Sequence, residues 1–470
     1  MTSNTIAIID DKQRISFSEL TNFISGTAKH LLNKGIKPKE YIPLLSNNSL
    51  QYVITIFALW KINAIPVPIN TRLKDEEILS ILESVGCSTI IKSSEFNESL
   101  LELPSIEMKI ESNNEVLEFQ NSANLNDTAV IIHTSGSSGK PKGVETTNKN
   151  LFQSYLSEAK EFHYSSNDYF LASLPFYHIG GIAIINRALL SGGTLVIPRS
   201  LKQNDIVDSM LENNPSIISL VPTVIKRLID SGASPNRNLR HLFLGGGASD
   251  DKLISAAFKN GWPVVKVFGS SETTAMVTAC YGEELEQHPS SAGKSLDGVE
   301  IKILDETKKN INVKMVGEIA IKSPTIAKGY LNNELNWNDK IHDGYYLTGD
   351  YGYLDEDDKL FVVARRADLI VSGGENINPR EIEKLINEQS AVSESFVFPI
   401  ENEEWGQIPV AIISLKKDFT LDRDKIIADL KLRLASFKIP KKIVFAKEIP
   451  KTEMGKVNIE EIKRLYGNKN

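Results

Sequence analysis

The chain has 470 residues, 41% of them hydrophobic and 24% charged, which is enough apolar material for more than one core and excludes general disorder. Its 53 Lys and Arg against 60 Asp and Glu leave a net charge of -7, so no global positive field recruits nucleic acid or an anionic membrane, and any phosphate must be held locally. Two distant cysteines, Cys87 and Cys280, support neither a disulfide framework nor a zinc site, and the apolar run Tyr52–Trp60 stops at Lys61, short of the roughly 20 residues of a membrane span. With no basic-then-apolar export pattern over Met1–Gln13, the expectation is a protein of the reducing cytoplasm.

From Ser16 to about Leu360, short β-rich apolar runs alternate with amphipathic segments, the pattern of α/β layers around largely parallel strands. Thr128–His133, Tyr169–Leu174, Ser216–Val221, Leu239–Leu244 and Val264–Phe268 read as buried strands, most running straight into Gly, Ser or Pro. Asp250–Asn260 reads as a helix, opened by cap-capable Ser249 and Asp250 and closed by Gly261. Ligands of open α/β sheets bind beyond the carboxyl ends of the strands, so chemistry should collect in the loops after these runs. After Phe361 the pattern changes to a compact α+β unit, with Leu369–Ser372, Glu394–Pro399 and Val410–Leu415 as strands and Pro379–Gln389, Arg423–Ala435 and Ile459–Tyr466 as helices. A boundary near Arg365 divides a large N-terminal domain, 1–364, from a small C-terminal domain, 365–470.

The first chemical motif follows the first of these strands: Thr134, Ser135, Gly136, Ser137, Ser138, Gly139 and Lys140, then Pro141, Lys142 and Gly143. Its glycines let backbone N–H groups approach a polyanion, its hydroxyls add donors, and its two lysines supply charge. A flexible Ser/Gly surface turn explains most Gly-rich stretches but not this hydroxyl run with lysines after a buried strand. The common P-loop spacing is not met, because Lys140 precedes Pro141. Gly245, Gly246 and Gly247 make a tight turn after another strand, and Glu272, taken alone, reads as an ordinary solvated residue at a helix start.

With Phe268-Gly269-Ser270-Ser271-Glu272-Thr273, Tyr346-Leu347-Thr348-Gly349-Asp350 and Pro450–Lys456 in order along the chain, the sequence resembles the acyl-adenylate-forming ligases from about Phe17 to Lys456. The resemblance implies an enzyme using ATP, Mg²⁺ and coenzyme A, with a large layered α/β domain and a small mobile one. It implies that Thr134 through Lys142 grip phosphates, that Gly245–Gly247 and Phe268–Ser271 border the adenine and the acyl group, with Gly246 shared between them, and that Asp350 and Arg365 hold the ribose or phosphate. Glu272, with Thr134, would hold Mg²⁺, as a hard cation wants oxygen ligands. Lys456 would be the catalytic lysine bridging carboxylate and α-phosphate. Gly373, Gly374 and Glu375 would line the pantetheine tunnel and Ala367 would be the hinge, although relatives have Gly where this chain has Ala364 and often a polar residue where it has Ala367.

His178, in Pro175–Gly181, matches the family's substrate-side element and would border the acyl pocket, with a satisfied core histidine as the bland alternative. The Asp that amino-acid-activating relatives carry in this element is missing. Nine residues later Arg187 falls in the apolar run Ile182–Leu190, where a cation needs a partner. This placement is similar to o-succinylbenzoyl-CoA synthetases of menaquinone biosynthesis, whose basic residue meets the second carboxylate of the acid. The alternatives for Arg187 are an internal ion pair or a side chain reaching solvent. At the level of function they are a generic aryl or medium-chain acyl-CoA synthetase and a non-catalytic nucleotide-binding module. Partners are expected to be the small carboxylic acid, ATP and CoA, with no nucleic acid, no membrane span and room for a homo-oligomer.

Overall fold

A computed structural model describes residues 4–11, 13–73, 75–87, 89–96, 104–113, 124–134, 142–247, 249, 251–365, 370–372, 375–377, 379–402, 405–434, 436–451 and 457–467. The chain separates into two compact units, residues 1–315, 319–348 and 353–361, and residues 316–318, 349–352 and 362–470.

The first unit is organised by a nine-stranded sheet. Its strands are β1 (Ile6–Asp10), β2 (Gln13–Ser16), β5 (Tyr169–Leu171), β6 (Thr194–Ile197), β7 (Ile217–Leu220), β8 (His241–Leu244), β9 (Val264–Ser270), β10 (Ala275–Tyr281) and β11 (Lys294–Ser295). A separate three-stranded sheet holds β3 (Thr128–Thr134), β4 (Lys142–Thr147) and β12 (Gly329–Tyr330). The order of the large sheet is β11-β10-β9-β8-β7-β5-β6-β1-β2. Six strands from β9 to β1 pair in parallel, and antiparallel β2, β10 and β11 close the edges. Neighbouring residues on one strand enter opposite cores: Leu195, Ile217, Phe243 and Val265 pack in one cluster, Val196, Ile218, Leu242 and Val264 in another. That two-sided burial explains why these strands read as continuous apolar runs and not as alternating ones.

Four parallel strands, Ile65–Pro68, Tyr41–Leu45, Ile90–Lys92 and Ser105–Glu107, form a further sheet. Another sheet runs in the order Glu300–Leu304, Gly317–Lys322, Tyr345–Leu354 and Ile341–His342, with Leu360–Arg365 on Tyr345–Leu354. Two helices matter for the site, α1 (Asn148–Phe162) and α2 (Ile179–Leu190). Helix α1 starts with a reciprocal cap: Thr147 Oγ1 accepts from the Asn150 N–H at 3.1 Å and Asn150 Oδ1 accepts from the Thr147 N–H at 2.9 Å. Helix α3 (Pro222–Asp230) begins on a proline at its first turn, and α4 (Asp251–Lys259) covers the expected Asp250–Asn260 less one residue at each end.

In the second unit β13 (Ile370–Ser372), β14 (Glu375–Ile377), β15 (Val392–Asn402), β16 (Gly406–Leu415) and β17 (Lys442–Ala446) make a sheet of order β14-β13-β16-β15, with β17 on β16. Helices α5 (Pro379–Asn387), α6 (Arg423–Arg433) and α7 (Ile459–Tyr466) accompany it, and Ile382, Ile386, Ile426 and Leu430 fill its core. The α/β reading of the large part and the α+β reading of the small part therefore hold. The expected strand Tyr169–Leu174 ends at Leu171, because the following residues leave the sheet for a loop fixed by a side chain, described below.

Candidate active site

The segment 135–141, with Ser135, Gly136, Ser137, Ser138, Gly139 and Lys140, lies between β3 and β4 in the chain and outside the described residues. Its flanks are well defined. Thr134 and Lys142 face each other across the β3–β4 ladder, and β12 adds to the same hairpin with Tyr330 opposite Val144. The Lys142 Nζ stands 5.1 Å from the centre of the Tyr330 ring. The Tyr330 hydroxyl donates to Glu272 Oε1 at 3.0 Å. Burial and the charge of Glu272 push the Tyr330 phenol well up, so it stays a protonated donor.

Glu272 sits in a tight turn between antiparallel β9 and β10, a hairpin and not the helix start its local sequence suggests. Two features force this turn. A Cβ on Gly269 would meet the Ala275 carbonyl oxygen at 1.8 Å, so only glycine lets the strands approach. Thr274 and Ala275 have φ of 52° and 80°, a region that costs a non-glycine residue energy. Threonine side chains hold it: Thr273 Oγ1 accepts from the Ser270 N–H at 2.8 Å, and Thr274 Oγ1 donates to the Thr325 carbonyl at 2.7 Å. Glu272 is thus presented by a rigid turn, its own carbonyl accepting from the Ala327 N–H at 2.8 Å.

Glu272 Oε2 and the Thr134 hydroxyl have no hydrogen-bond partner among the described residues, and both are oxygen donors, Thr134 at the end of β3 and Glu272 on Tyr330 of the same hairpin's third strand. That donor set fits Mg²⁺ and not a softer metal. Phe268 lies on β9, half-buried, followed by Gly269, Ser270 and Ser271. Gly245, Gly246 and Gly247 follow β8, with Gly246 at φ 73° and a Cβ on Gly247 falling 3.5 Å from the Pro222 ring.

His178 caps α2 without a side-chain bond to the helix, and its ring packs edge-on to Tyr177 at 4.8 Å. Sequence reasoning missed what positions it. The Asn48 amide donates to the carbonyls of Ala172 at 3.3 Å and Leu174 at 2.8 Å and accepts from the Phe176 N–H at 2.8 Å, which pulls the chain off β5 and into the His178 loop. Gly181 is required where α2 turns under this loop, since a Cβ would lie 2.1 Å from the Pro175 carbonyl oxygen.

Arg187, two turns along α2, is 4% exposed and its partner is Glu158 of α1, itself 1% exposed. Arg187 Nε donates to Glu158 Oε2 and Nη2 to Oε1 at 3.1 Å, while the guanidinium carbon sits 5.2 Å from the Phe243 ring centre. Burial alone would lower the guanidinium, but the Glu158 charge, the Tyr164 phenol and the Glu158 hydrogen bond together outweigh it and hold Arg187 above its ordinary range. The partner that burial demands is therefore internal, the ion-pair alternative that the sequence left open for Arg187. Nothing in the sequence joins Glu158 to Arg187; the contact exists because α1 packs on α2.

Of the other expected residues, Asp350 lies buried on Tyr345–Leu354 in the second unit, Arg365 ends Leu360–Arg365, and Glu375 opens β14. Ala367, Gly373, Gly374 and Lys456 lie outside the described residues. Among the described residues no helix is long and apolar enough to cross a membrane.

The two-unit α/β and α+β fold is that of an AMP-binding enzyme. A family model described as AMP-binding enzyme matches residues 1–331 and a second, AMP-binding enzyme C-terminal domain, matches residues 381–456, so the chain belongs to the AMP-binding enzyme family. More particularly, it is 32% identical over 461 residues to a 2-succinylbenzoate--CoA ligase of Listeria monocytogenes, spanning 98% of this chain and 96% of that protein. The structure matches o-succinylbenzoate CoA synthetase from Bacillus subtilis in complex with its acyl-adenylate intermediate at a TM-score of 0.90 and 30% identity, over 98% of this chain and 96% of the other. The same Bacillus subtilis enzyme with ATP and a magnesium ion also matches at 0.90 and 30%, over 98% and 97%.

Proposed function

We propose that this chain is an ATP-dependent, AMP-forming ligase that converts 2-succinylbenzoate to its CoA thioester, a step of menaquinone biosynthesis. The observation that carries the reading is full-length similarity to such ligases together with the rigidly presented Glu272, bonded by Tyr330 and set beside the flanks of the phosphate segment. In the first half-reaction a carboxylate oxygen of the acid attacks the α-phosphorus of ATP and the bond to pyrophosphate breaks. In the second, the CoA sulfur attacks the acyl carbon, losing its proton, and AMP leaves with the bonding pair.

Glu272 and the Thr134 hydroxyl hold Mg²⁺, which when bound neutralises charge on the departing phosphates. Lys142, with Lys140 and the backbone of Ser135–Gly139, takes the remaining phosphate charge. Tyr330 keeps Glu272 oriented for this work. Gly245–Gly247 and Phe268–Ser271 receive the adenine, with Gly246 also touching the acyl group, and Asp350 accepts from both ribose hydroxyls with Arg365 in support. Lys456 bridges the attacking carboxylate and the α-phosphate. Ala367 is the hinge between the half-reactions, and Gly373, Gly374 and Glu375 line the CoA tunnel. His178 borders the acyl group, and Arg187 acts at its far end from within the Glu158 pair.

One observation favours a second reading. With Glu158 satisfying Arg187, the fold no longer requires a second substrate carboxylate, which suits a general aryl or medium-chain acyl-CoA synthetase. Incubation with ATP, Mg²⁺ and CoA and a panel of acids, with products identified by mass, separates the two: succinylbenzoyl-CoA should dominate, and a preference for monoacids would establish the second reading.

A further inference from the structure

Four side chains converge on Tyr330: Glu272, Lys142, Trp337 and Tyr346. Its hydroxyl donates to Glu272 Oε1, and since a phenol has one proton to give, the hydrogen bond it shares with the Tyr346 hydroxyl is one that it accepts. The Lys142 Nζ lies over the ring, and the indole of Trp337 meets the ring edge-on, with centroids 5.1 Å apart and planes at 88°. Trp337 in turn stacks on Tyr346, with centroids 5.3 Å apart and planes at 19°. The three rings therefore close on one another: Tyr330 on Trp337, Trp337 on Tyr346, and Tyr346 back on Tyr330 through its hydroxyl.

This group is a small core of its own, in which Val144, Ala327, Tyr330, Trp337 and Tyr346 pack apart from the cores that flank the large sheet. Trp337 belongs to a five-residue helix, Glu334–Asn338, and is its one buried residue, while Leu335 is 82% exposed. A helix this short does not hold itself in water, so the indole is what seats it on the tyrosines. Packing alone would be served by phenylalanine at 330 and 346. The two hydroxyls instead run as a donor chain that ends on a carboxylate, and hydrogen bonds to a charged acceptor are the stronger kind. Such a chain decides which Glu272 oxygen is taken and which is left.

We propose that Trp337 and Tyr346 are positioning residues for the metal that Glu272 holds: they fix the Tyr330 ring and hydroxyl, and through that hydroxyl they leave Glu272 Oε2 to the ion. The proposal rests on the reading of Glu272 as the Mg²⁺ ligand. Each residue acts through Tyr330, as the outer partners of metal-bound carboxylates do.

The test measures binding without turnover. Isothermal titration with α,β-methylene-ATP, in Mg²⁺ and in EDTA, compares the wild-type chain with Tyr346→Phe, Trp337→Phe, Trp337→Leu and Glu272→Gln. Trp337→Leu should weaken the Mg²⁺ complex about tenfold and the metal-free complex by less than about twofold, with Trp337→Phe recovering most of the loss. Tyr346→Phe keeps the ring stack and removes only the donor, so it should show the same metal-selective loss at about threefold, which keeps the test decisive if Trp337→Leu folds poorly. In ATP–pyrophosphate exchange these variants should raise the Mg²⁺ concentration for half-maximal rate by matching factors, while KM for the acid stays within about twofold. Equal weakening with and without Mg²⁺, or wild-type binding by Tyr346→Phe, would overturn the proposal. If Glu272→Gln binds the Mg²⁺ complex as tightly as the wild-type chain, the reading of Glu272 fails instead, and this inference with it.

Discussion

The first unit holds two charged clusters that behave in opposite ways. Glu272 and Lys142 are half-buried, and Glu272 spends one oxygen on Tyr330 while keeping the other available. Arg187 and Glu158 are buried almost completely and spend their charges mainly on each other. Charge poised for a ligand costs little stability when water can still reach it; charge locked in a core must be balanced within the protein. The Glu272 cluster thus keeps capacity for a ligand, whereas the Arg187–Glu158 pair is spent first on folding.

This contrast is sharpest under substitution. Arg187→Ala leaves Glu158 as an uncompensated buried charge and should cost about 3–5 kcal/mol of unfolding free energy in urea, while the double change Arg187→Met with Glu158→Leu should be more stable than either single change. Singles that cost under about 1 kcal/mol would place the pair outside the core's energetics. Glu272→Gln should do the reverse, lowering the adenylation rate by a factor on the order of 10²–10³ with a thermal midpoint close to wild type. Stability lost with the rate retained would exchange the two roles.

A smaller effect separates the fold from the chemistry by pH. Burial pushes the His133 imidazole, on β3 just before Thr134, down to about 4. Burial, then the neighbouring Arg240 charge, takes His241 on β8 to about 4 as well. Both titrate near 6.5 when unfolded, so the unfolded chain binds more protons between these values. Stability is therefore full above about pH 6.5 and lost as the pH falls toward 4, by up to about 3 kcal/mol per histidine. Thermal melts across that window should show the fall, and His133→Phe should flatten it; a melt curve unchanged by that substitution would mean His133 finds a proton acceptor in the fold.

Much of this architecture was legible in the chain itself. The buried strands of the large sheet announced themselves as apolar runs because both faces are covered, and helix Ile459–Tyr466 matched its expected limits residue for residue. Motif residues such as Glu272 were legible because their order along the chain is informative even when each alone is bland. Long-range partners were not. Tyr330 reaches Glu272 across 58 positions, Asn48 reaches Leu174 across 126, and Glu158 reaches Arg187 across 29, and no local pattern encodes such pairings. The burial argument correctly demanded a partner for Arg187 yet could not say whether protein or ligand supplied it. The hairpin at Glu272 was also hidden, since Gly269 is needed for a cross-strand approach that only the assembled sheet reveals.

The most direct test of the account is ATP–pyrophosphate exchange without CoA. Exchange should require both Mg²⁺ and 2-succinylbenzoate and should collapse in Glu272→Gln. Exchange indifferent to the acid, or undiminished by that substitution, would contradict the assignment of Glu272 and its hairpin to adenylate formation.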